Sequence, residues 1–393
     1  MRVILLSTGI LPSVGGPFES VSGLARGLAA DRSTEVTVLA CTGFTAGWAD
    51  HERRWAGAQL QVFGGNPAVR LRGARQYLSR RLDTGSVDIV HASGLWDETA
   101  VLAAHILGCS AVPVVWSMRG MLEPWALNHH PVRKRVAWLA GQGRALRQAA
   151  VIHATAPEEA ASCRRAGLRQ PIAVIPNGIE MHPLTPHTAT RERTSARRCV
   201  YLGRLHPKKG LINLIEAWRQ CRTTGWELEI AGPDADGHAA ILSAMVDRYG
   251  LANVHVSGPR YGEDRRRFLE SCDIFICPSF SENFGNAIAE AMERGKPVIT
   301  TTGTPWGVLV EQQLGWWVDP TVVQLTHAIA DALGRAPQTL EDMGLRARHY
   351  VETGFSWAGV VARTRDVYQW LRGGPRPDCV ETTADRAGLV VTA

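Results

Sequence analysis

The chain has no unbroken apolar run of the roughly 18 residues that a membrane-spanning helix needs. It holds only four lysines, so arginine carries nearly all of its positive charge. Its glycine pair at 15–16 does not form a G-x-G-x-x-G fingerprint, which disfavours a dinucleotide enzyme. Eight cysteines are scattered at 41, 109, 163, 199, 221, 272, 277 and 379. The closest pair, Cys272 and Cys277, has neither metal spacing nor a histidine pattern, so buried free thiols are expected, with no disulfide framework and no zinc site. No recognisable nucleic-acid module accompanies the basic charge. The opening MRVILLSTGILP has one arginine and no small-residue cleavage site after it. It predicts a first buried strand rather than a signal peptide, and the cytoplasm as compartment.

What is present is a soluble globular balance over 393 residues: 45% hydrophobic and 20% charged, enough for two or three domains with their own cores. The net charge of +6 is uneven. Residues 1–178 hold 19 Lys+Arg against 12 Asp+Glu, and the rest is close to neutral at 24 against 25. Two basic stretches stand out, RLRGARQYLSRR (70–81) and RKRVAWLAGQGRALRQ (133–148). Each reads either as a solvated helix face or as a surface for acidic headgroups or a phosphorylated acceptor.

Short Val/Ile-rich runs alternate with longer helical patterns. Strands are expected at 2–8, 35–41, 88–93, 113–118, 150–155 and 172–177, then at 199–204, 228–232, 254–258, 274–279 and 297–301. Continuous apolar strands between helices indicate parallel sheets covered on both faces. The expected fold is therefore α/β, two doubly wound Rossmann-like domains facing each other across a cleft. The first spans 1–178. A linker of polar, Pro-containing composition covers 179–197, and the second domain covers 198–355. A helix at about 356–372 is expected to return to the first domain, and 374–393 to be a disordered tail.

Ligands of such sheets bind at the carboxyl ends of strands. Glu282 falls just after the strand ending near 279, and Glu290 in the second turn of the helix that follows. The backbone N–H groups of Phe284, Gly285 and Asn286 open that helix, a natural anion site, with Asn283 beside them. One carboxylate can take sugar hydroxyls, the helix end a phosphate, and the other carboxylate a ribose diol. The stretch YLGRLHPKKG (201–210) places Arg204, Lys208 and Lys209 at another strand end, where cations neutralise a diphosphate as it leaves. Gly15 and Gly16 follow the first strand and allow backbone to approach phosphate. His91, His153 and Arg119 sit at further strand ends, with a structural role as the alternative for each histidine. Thr304 and Pro305 are expected at the mouth of the second domain, and Trp316 and Trp317 in its core. The letters DAD at 234–236 read as a helix-leading loop rather than a metal site.

GRLHPKKG, SENFGNAIAEAMERGKPVI and IPNGIE together resemble family 4 of the retaining glycosyltransferases, of GT-B fold, over nearly the whole chain to about Trp370. The resemblance implies that Arg204 and Lys209 bind the donor diphosphate and that Glu282 contacts donor-sugar hydroxyls. It further implies that Phe284, Gly285 and Asn286 offer backbone groups, that Glu290 holds the ribose, and that Gly15 and Gly16 face phosphate. Arg119 stands where many members carry a histidine, and a guanidinium cannot act as a base. The segment RGMLEPWAL is similar to transferases of surface-polysaccharide pathways.

The resemblance implies transfer of a hexose with retention, from a UDP- or GDP-linked sugar to a glycan, a lipid-linked oligosaccharide or a small molecule. The leaving diphosphate itself takes the acceptor proton, and neither cofactor nor metal is needed. The positive first domain suits peripheral contact with an anionic membrane at its inner face, and no nucleic-acid partner is expected. Alternatives are transfer to a soluble natural product, a phosphorylase-like transferase, a sugar-nucleotide epimerase and an inactive nucleotide-sugar-binding scaffold.

Overall fold

The computed structural model describes residues 1–7, 9–11, 15–42, 54–184, 196–234 and 236–382. The chain divides into two compact units, Met1–Gly178 with Trp357–Ala393, and Ile179–Ser356.

Unit 1 runs β1 (Arg2–Ser7), α1 (Gly16–Ala29), β2 (Glu35–Cys41), β3 (Gln59–Phe63), α2 (Pro67–Asp83), β4 (Ile89–Ser93), α3 (Glu98–Cys109) and β5 (Val114–Ser117). It continues with α4 (Pro124–Asn128), α5 (Pro131–Ala137), a π-helical turn at Trp138–Gln142, α6 (Gly143–Leu146), β6 (Val151–Ala154), α7 (Pro157–Arg165) and β7 (Ile172–Val174). Unit 2 holds β8 (Arg197–Leu202), a 3-10 turn at Pro207–Lys209, α8 (Leu211–Gln220), β9 (Trp226–Ala231), α9 (His238–Tyr249), β10 (Val254–Ser257), α10 (Gly262–Glu270) and β11 (Ile274–Cys277). It ends with α11 (Asn286–Glu293), β12 (Val298–Thr301), α12 (Val308–Glu311), β13 (Gly315–Val318), α13 (Val322–Gly334) and α14 (Pro337–Phe355). α15 (Trp357–Leu371) and β14 (Val380–Glu381) complete unit 1.

The strand order is β14-β7-β6-β5-β4-β1-β2-β3 in one sheet and β10-β9-β8-β11-β12-β13 in the other. Every pairing is parallel except β14 against β7. Side chains alternate across a strand, so each sheet feeds two cores. Ile4 and Leu6 of β1 enter one cluster, Val3 and Leu5 the other. Ile274 and Ile276 of β11 divide in the same way from Phe275 and Cys277. This two-sided burial is why these strands read as unbroken apolar runs.

Several local expectations need correction. The edge strands β3 and β13 were not anticipated. β3 is half-buried over most of its length and carries polar residues, and β13 opens on Gly315. Trp316 and Trp317 lie on β13 half-buried rather than in the core, their indole N–H groups held by Asp331 Oδ2 at 2.8 Å and the Thr304 carbonyl at 3.1 Å. The expected linker begins as part of unit 2: Ile179 is buried and donates to the Phe355 carbonyl at 2.7 Å, and His182 donates to Glu293 Oε1 at 2.8 Å. The remainder of that stretch, 185–195, lies outside the described residues. The expected disordered tail is ordered at its start, because Val380 is buried and pairs with Ala173 on β7. Its residues 383–393 lie outside the described residues.

α15 packs on α1 through two glycines of α1. A Cβ on Gly23 would lie 1.9 Å from the Trp357 ring, and one on Gly27 would lie 2.4 Å from a Val361 methyl. Gly23→Val should therefore push α15 away and destabilise unit 1 by about 1–3 kcal/mol, read as a lower urea midpoint for that unit. An unchanged midpoint would show that the contact does not hold α15.

Candidate functional site

In a doubly wound sheet the strand order reverses at one point, and there the following helices cover opposite faces and leave the strand ends open. In unit 2 that point lies between β8 and β11. α8 packs into one core with Leu211, Leu214 and Trp218, and α11 into the other with Ile288, Ala289 and Met292. The segments leaving these two strands carry the residues singled out in the sequence.

After β8, the Tyr201 hydroxyl donates to the Arg204 carbonyl at 3.0 Å, and the Arg204 side chain is exposed without an ion pair among the described residues. The 3-10 turn follows, capped by His206 Nδ1, which accepts from the Lys208 N–H at 3.1 Å. The turn ends at Gly210, with φ 66°, where a Cβ would lie 2.2 Å from the Pro278 carbonyl oxygen. Only glycine permits both that conformation and that approach. The Phe280 N–H then donates to the Lys208 carbonyl at 2.9 Å, stitching the two loops together.

The stitching brings the Lys209 ammonium onto Glu282 Oε1, which also accepts from the Ser279 hydroxyl at 2.7 Å. The Glu282 N–H is anchored on the Gly303 carbonyl at 2.8 Å. Burial alone would raise the pKa of Glu282. The charge and hydrogen bond of Lys209, the Ser279 hydrogen bond and the charge of Lys208 outweigh it, so the carboxyl is held below its ordinary value. Beneath it the Cys277 thiol is pushed up to about 11 by burial and by Glu282. Glu282 Oε2 has no hydrogen-bond partner among the described residues. The result is a fixed ammonium–carboxylate pair, both partners largely shielded from water, with one carboxylate oxygen left over.

The rest of this stretch divides between wall and site. Phe284 is buried, its ring 5.5 Å from Trp306 and 5.7 Å from Phe355, and its carbonyl accepts from the Trp306 indole at 2.6 Å. Asn283 is half-buried, Gly285 caps α11 with φ 82°, and Asn286 opens that helix. Glu290 lies one turn further on, its Oε2 bound by Arg265 Nε of α10 at 2.7 Å. Thr304 is part of the wall: it is buried, and its hydroxyl donates to the Thr301 carbonyl at 2.9 Å. Asp234 Oδ1 caps its own loop by accepting from the His238 N–H at 2.9 Å.

In unit 1 the reversal lies between β1 and β4. Gly15, with φ 77°, caps α1, which starts at Gly16, and the Phe18 N–H donates to the Gly15 carbonyl at 3.0 Å. His91, on β4, is 2% exposed. Its Nδ1 meets the Tyr368 hydroxyl at 2.6 Å and its Nε2 the Ser117 hydroxyl at 2.7 Å. Ser117 also meets His153 Nδ1 at 2.6 Å, and His153 Nε2 lies 2.8 Å from the Ile175 carbonyl. Burial holds both imidazoles below their ordinary values, helped by Arg119 and, for His91, by His153. His153 falls to about 3. Neutral rings leave one direction for the chain. The carbonyl can only accept, so His153 Nε2 donates to it and Nδ1 accepts from Ser117. His91 Nε2 then donates to Ser117, and Tyr368 donates to His91 Nδ1. With both nitrogens engaged, His91 has none to offer a ligand.

Arg119 adopts φ 53° just after β5, and its Nη1 donates to Asn177 Oδ1 at 2.7 Å. Burial lowers its pKa, opposed by the charge of Glu159. Glu159 itself is buried, accepting from the Gly120 N–H at 2.6 Å and from the Thr155 N–H and hydroxyl at 2.6 and 2.9 Å. Sequence reasoning missed Ser279, Arg265, Ser117, Glu159 and Tyr368. An acidic side chain in the first turn of α7 was a usable signal for Glu159. Tyr368 had none, lying 277 residues from its partner His91. Among the described residues no three His, Cys, Asp or Glu side chains group as a metal site.

Two such units in one chain, each open at a strand-order reversal, define the GT-B architecture. Sucrose-phosphate synthase from Thermosynechococcus elongatus superposes with TM-score 0.81 at 19% identity, over 95% of this chain and 99% of that one. Anabaena HepE in complex with UDP and glucose gives 0.73 at 19% identity, over 94% and 99%. These likenesses concern the fold. Residues 15–178 match the glycosyl transferase 4-like domain and residues 187–350 match glycosyl transferases group 1. The chain therefore belongs to the family 4 glycosyltransferases. A GDP-mannose:cellobiosyl-diphosphopolyprenol alpha-mannosyltransferase of Xanthomonas oryzae is 28% identical over 209 residues, 52% of this chain and 54% of that protein. The chain spans about half the length of several of the curated relatives it matches.

The buried histidines set an acid sensitivity. The unfolded chain protonates its histidines below about pH 6.5, whereas folded His153 does so only at about 3. Stability from this pair should be full above about pH 6.5 and fall as acid is added, by about 1.4 kcal/mol per pH unit for each histidine. Urea unfolding of unit 1 between neutral and mildly acidic pH should show that slope, and His91→Gln and His153→Gln should each remove one proton from it. A wild-type profile no steeper than that of the variants would refute the neutral chain.

Proposed function

We propose that the chain transfers a hexose from a nucleoside-diphosphate sugar to a hydroxyl of a glycan or lipid-linked acceptor, with retention and without a metal. The observation that carries this reading is the Lys209–Glu282 pair at the strand-order reversal of unit 2, with Arg204 at the same edge. A ligand bearing both a diphosphate and a diol suits such a pair. The anion draws on Arg204, Lys208 and Lys209, and a sugar hydroxyl donates to Glu282 Oε2. Glu290, held by Arg265 through Oε2, would take ribose hydroxyls, and the backbone of Gly285 and Asn286 at the start of α11 would face phosphate.

In the proposed reaction the bond from the anomeric carbon to the diphosphate oxygen breaks, and the acceptor oxygen bonds that carbon on the same face. The acceptor proton passes to the departing diphosphate. The protein contributes orientation and charge neutralisation. Arg119, on unit 1, is charged and suits an acidic acceptor group or phosphate rather than proton abstraction. The UDP- and glucose-bound HepE structure and the polyprenol-diphosphate mannosyltransferase support donor and acceptor of these classes. With a lipid-linked acceptor, the reaction would run at the cytoplasmic face of an anionic membrane.

Thermal unfolding with UDP-, GDP-, ADP- and dTDP-sugars tests the donor. A matched one at about a hundredfold over Kd should add roughly 2.7 kcal/mol, and a flat panel would favour an inactive scaffold. With the donor in hand, Lys209→Ala should cost about a hundredfold or more in turnover while the fold survives. Near wild-type turnover would remove Lys209 from the mechanism. Conversion of donor without acceptor would favour an epimerase.

A further inference from the structure

The two basic stretches, some 60 residues apart in sequence, lie on one layer of unit 1. Ala74 and Leu78 of α2, Leu102 and Ile106 of α3, and Ala145 and Leu146 of α6 share one core on the same face of the sheet. α1 and α15 cover the other face. On α2, Arg72, Arg75 and Arg80 are exposed and line a shallow groove with Leu71, Gln76 and Ser79. On α5 and α6, Arg133, Arg135, Arg144 and Arg147 are exposed. None of these seven arginines makes an ion pair among the described residues. The contrast with unit 2 is sharp: Arg198, Arg219, Arg260, Arg265, Arg335 and Arg348 all have carboxylate partners there. From Pro124 to Pro157 the sequence contains no acidic residue.

The same layer exposes apolar side chains in a helical register. Val132 is 76% exposed, Val136 61% and Leu139 77%. They stand at i, i+4 and i+7, which is one stripe of a helix. Arg133 and Arg135 flank that stripe on its two sides. Lys134 points inward instead, donating to the Ala126 carbonyl over the Trp96 ring. Trp125 on neighbouring α4 is a fourth exposed large apolar group. Folding leaves these side chains in water, while Lys134, Ala137 and Trp138 of the same segment are half-buried.

We propose that this layer docks on an anionic lipid bilayer, with Val132, Val136 and Leu139 entering the headgroup–acyl boundary. The seven exposed arginines named on α2, α5 and α6 would meet lipid phosphates. An apolar stripe edged by unpaired arginines fits an interface that is apolar within and anionic at its surface. A second copy of the chain fits less well, because the stripe would bring two unpaired arginine sets together. The inference deepens the lipid-linked acceptor reading but stands on the surface alone. Vesicle binding can fail while transfer to a soluble acceptor persists, and the reverse.

The full chain should float with vesicles rich in phosphatidylglycerol, not with phosphatidylcholine vesicles, and salt should weaken the binding. Arg133→Ser and Arg135→Ser should each lower partition about fivefold. The exposed triple change Val132→Ser, Val136→Ser and Leu139→Ser should lower it at least tenfold, with the melting temperature and nucleotide binding unchanged. No flotation with anionic vesicles would overturn the proposal. Full binding by the triple variant would also overturn it, leaving a surface that attracts anions by charge alone. Self-association of the wild type in sedimentation, lost in the triple variant, would overturn it in favour of a second copy.

Discussion

A parallel sheet buried on both faces has little room for polar side chains except at its strand ends, and only where the strand order reverses are those ends left uncovered. In unit 2 this constraint decides the site. α8 and α11 leave β8 and β11 for opposite faces, and the connecting segments face each other at the gap. The close passage of Gly210 under the Pro278 carbonyl then sets the register of the two loops. Lys209 and Glu282, 73 residues apart, become one ion pair in consequence. Ser279 and the Gly303 carbonyl hold Glu282 of the pair in place, and such preorganisation is what the electrostatic role proposed for it requires.

Unit 1 solves the same constraint differently. Its inner face turns polar toward the strand ends, where His91, Ser117 and His153 replace the valines and isoleucines nearer the strand starts. The Ile175 carbonyl forces a single direction on their hydrogen bonds, and Tyr368 closes the chain from α15. These neutral groups are satisfied without a buried charge, the cheaper way to place polar atoms inside a core. They join strands β4, β5 and β6 to the helix that arrives last in sequence. Just beyond the end of β5, Arg119 shares its surroundings with buried Glu159, and that neighbour moderates the cost of burying a guanidinium.

Charge is also distributed by unit rather than by composition. The described arginines of unit 2 are mostly tied to carboxylates, whereas Arg72, Arg75 and Arg80 of α2 and Arg133, Arg135, Arg144 and Arg147 of α5 and α6 are exposed without ion pairs among the described residues, beside an exposed apolar stripe. A protein that only needed solubility would gain nothing from that stripe.

The residues themselves carried much of this. Unbroken Val/Ile runs separated by helical patterns are legible because two-sided burial demands them, and they marked eleven of the fourteen strands among the described residues. The glycines and charged residues at strand ends were legible because a parallel sheet has only one kind of open edge. The missed strands β3, β13 and β14 are short edge or end strands, where one-sided exposure erases the apolar signature. Glu282 and Lys209 could be named as candidates from their segments, but not as partners. That pairing, the Arg265–Glu290 bond, the Tyr368–His91 link and the gathering of two distant basic stretches on one layer arise from contacts between residues far apart in the chain. Local pattern encodes which face a side chain takes. Only the packing of strands and helices in three dimensions decides which other side chain it meets there.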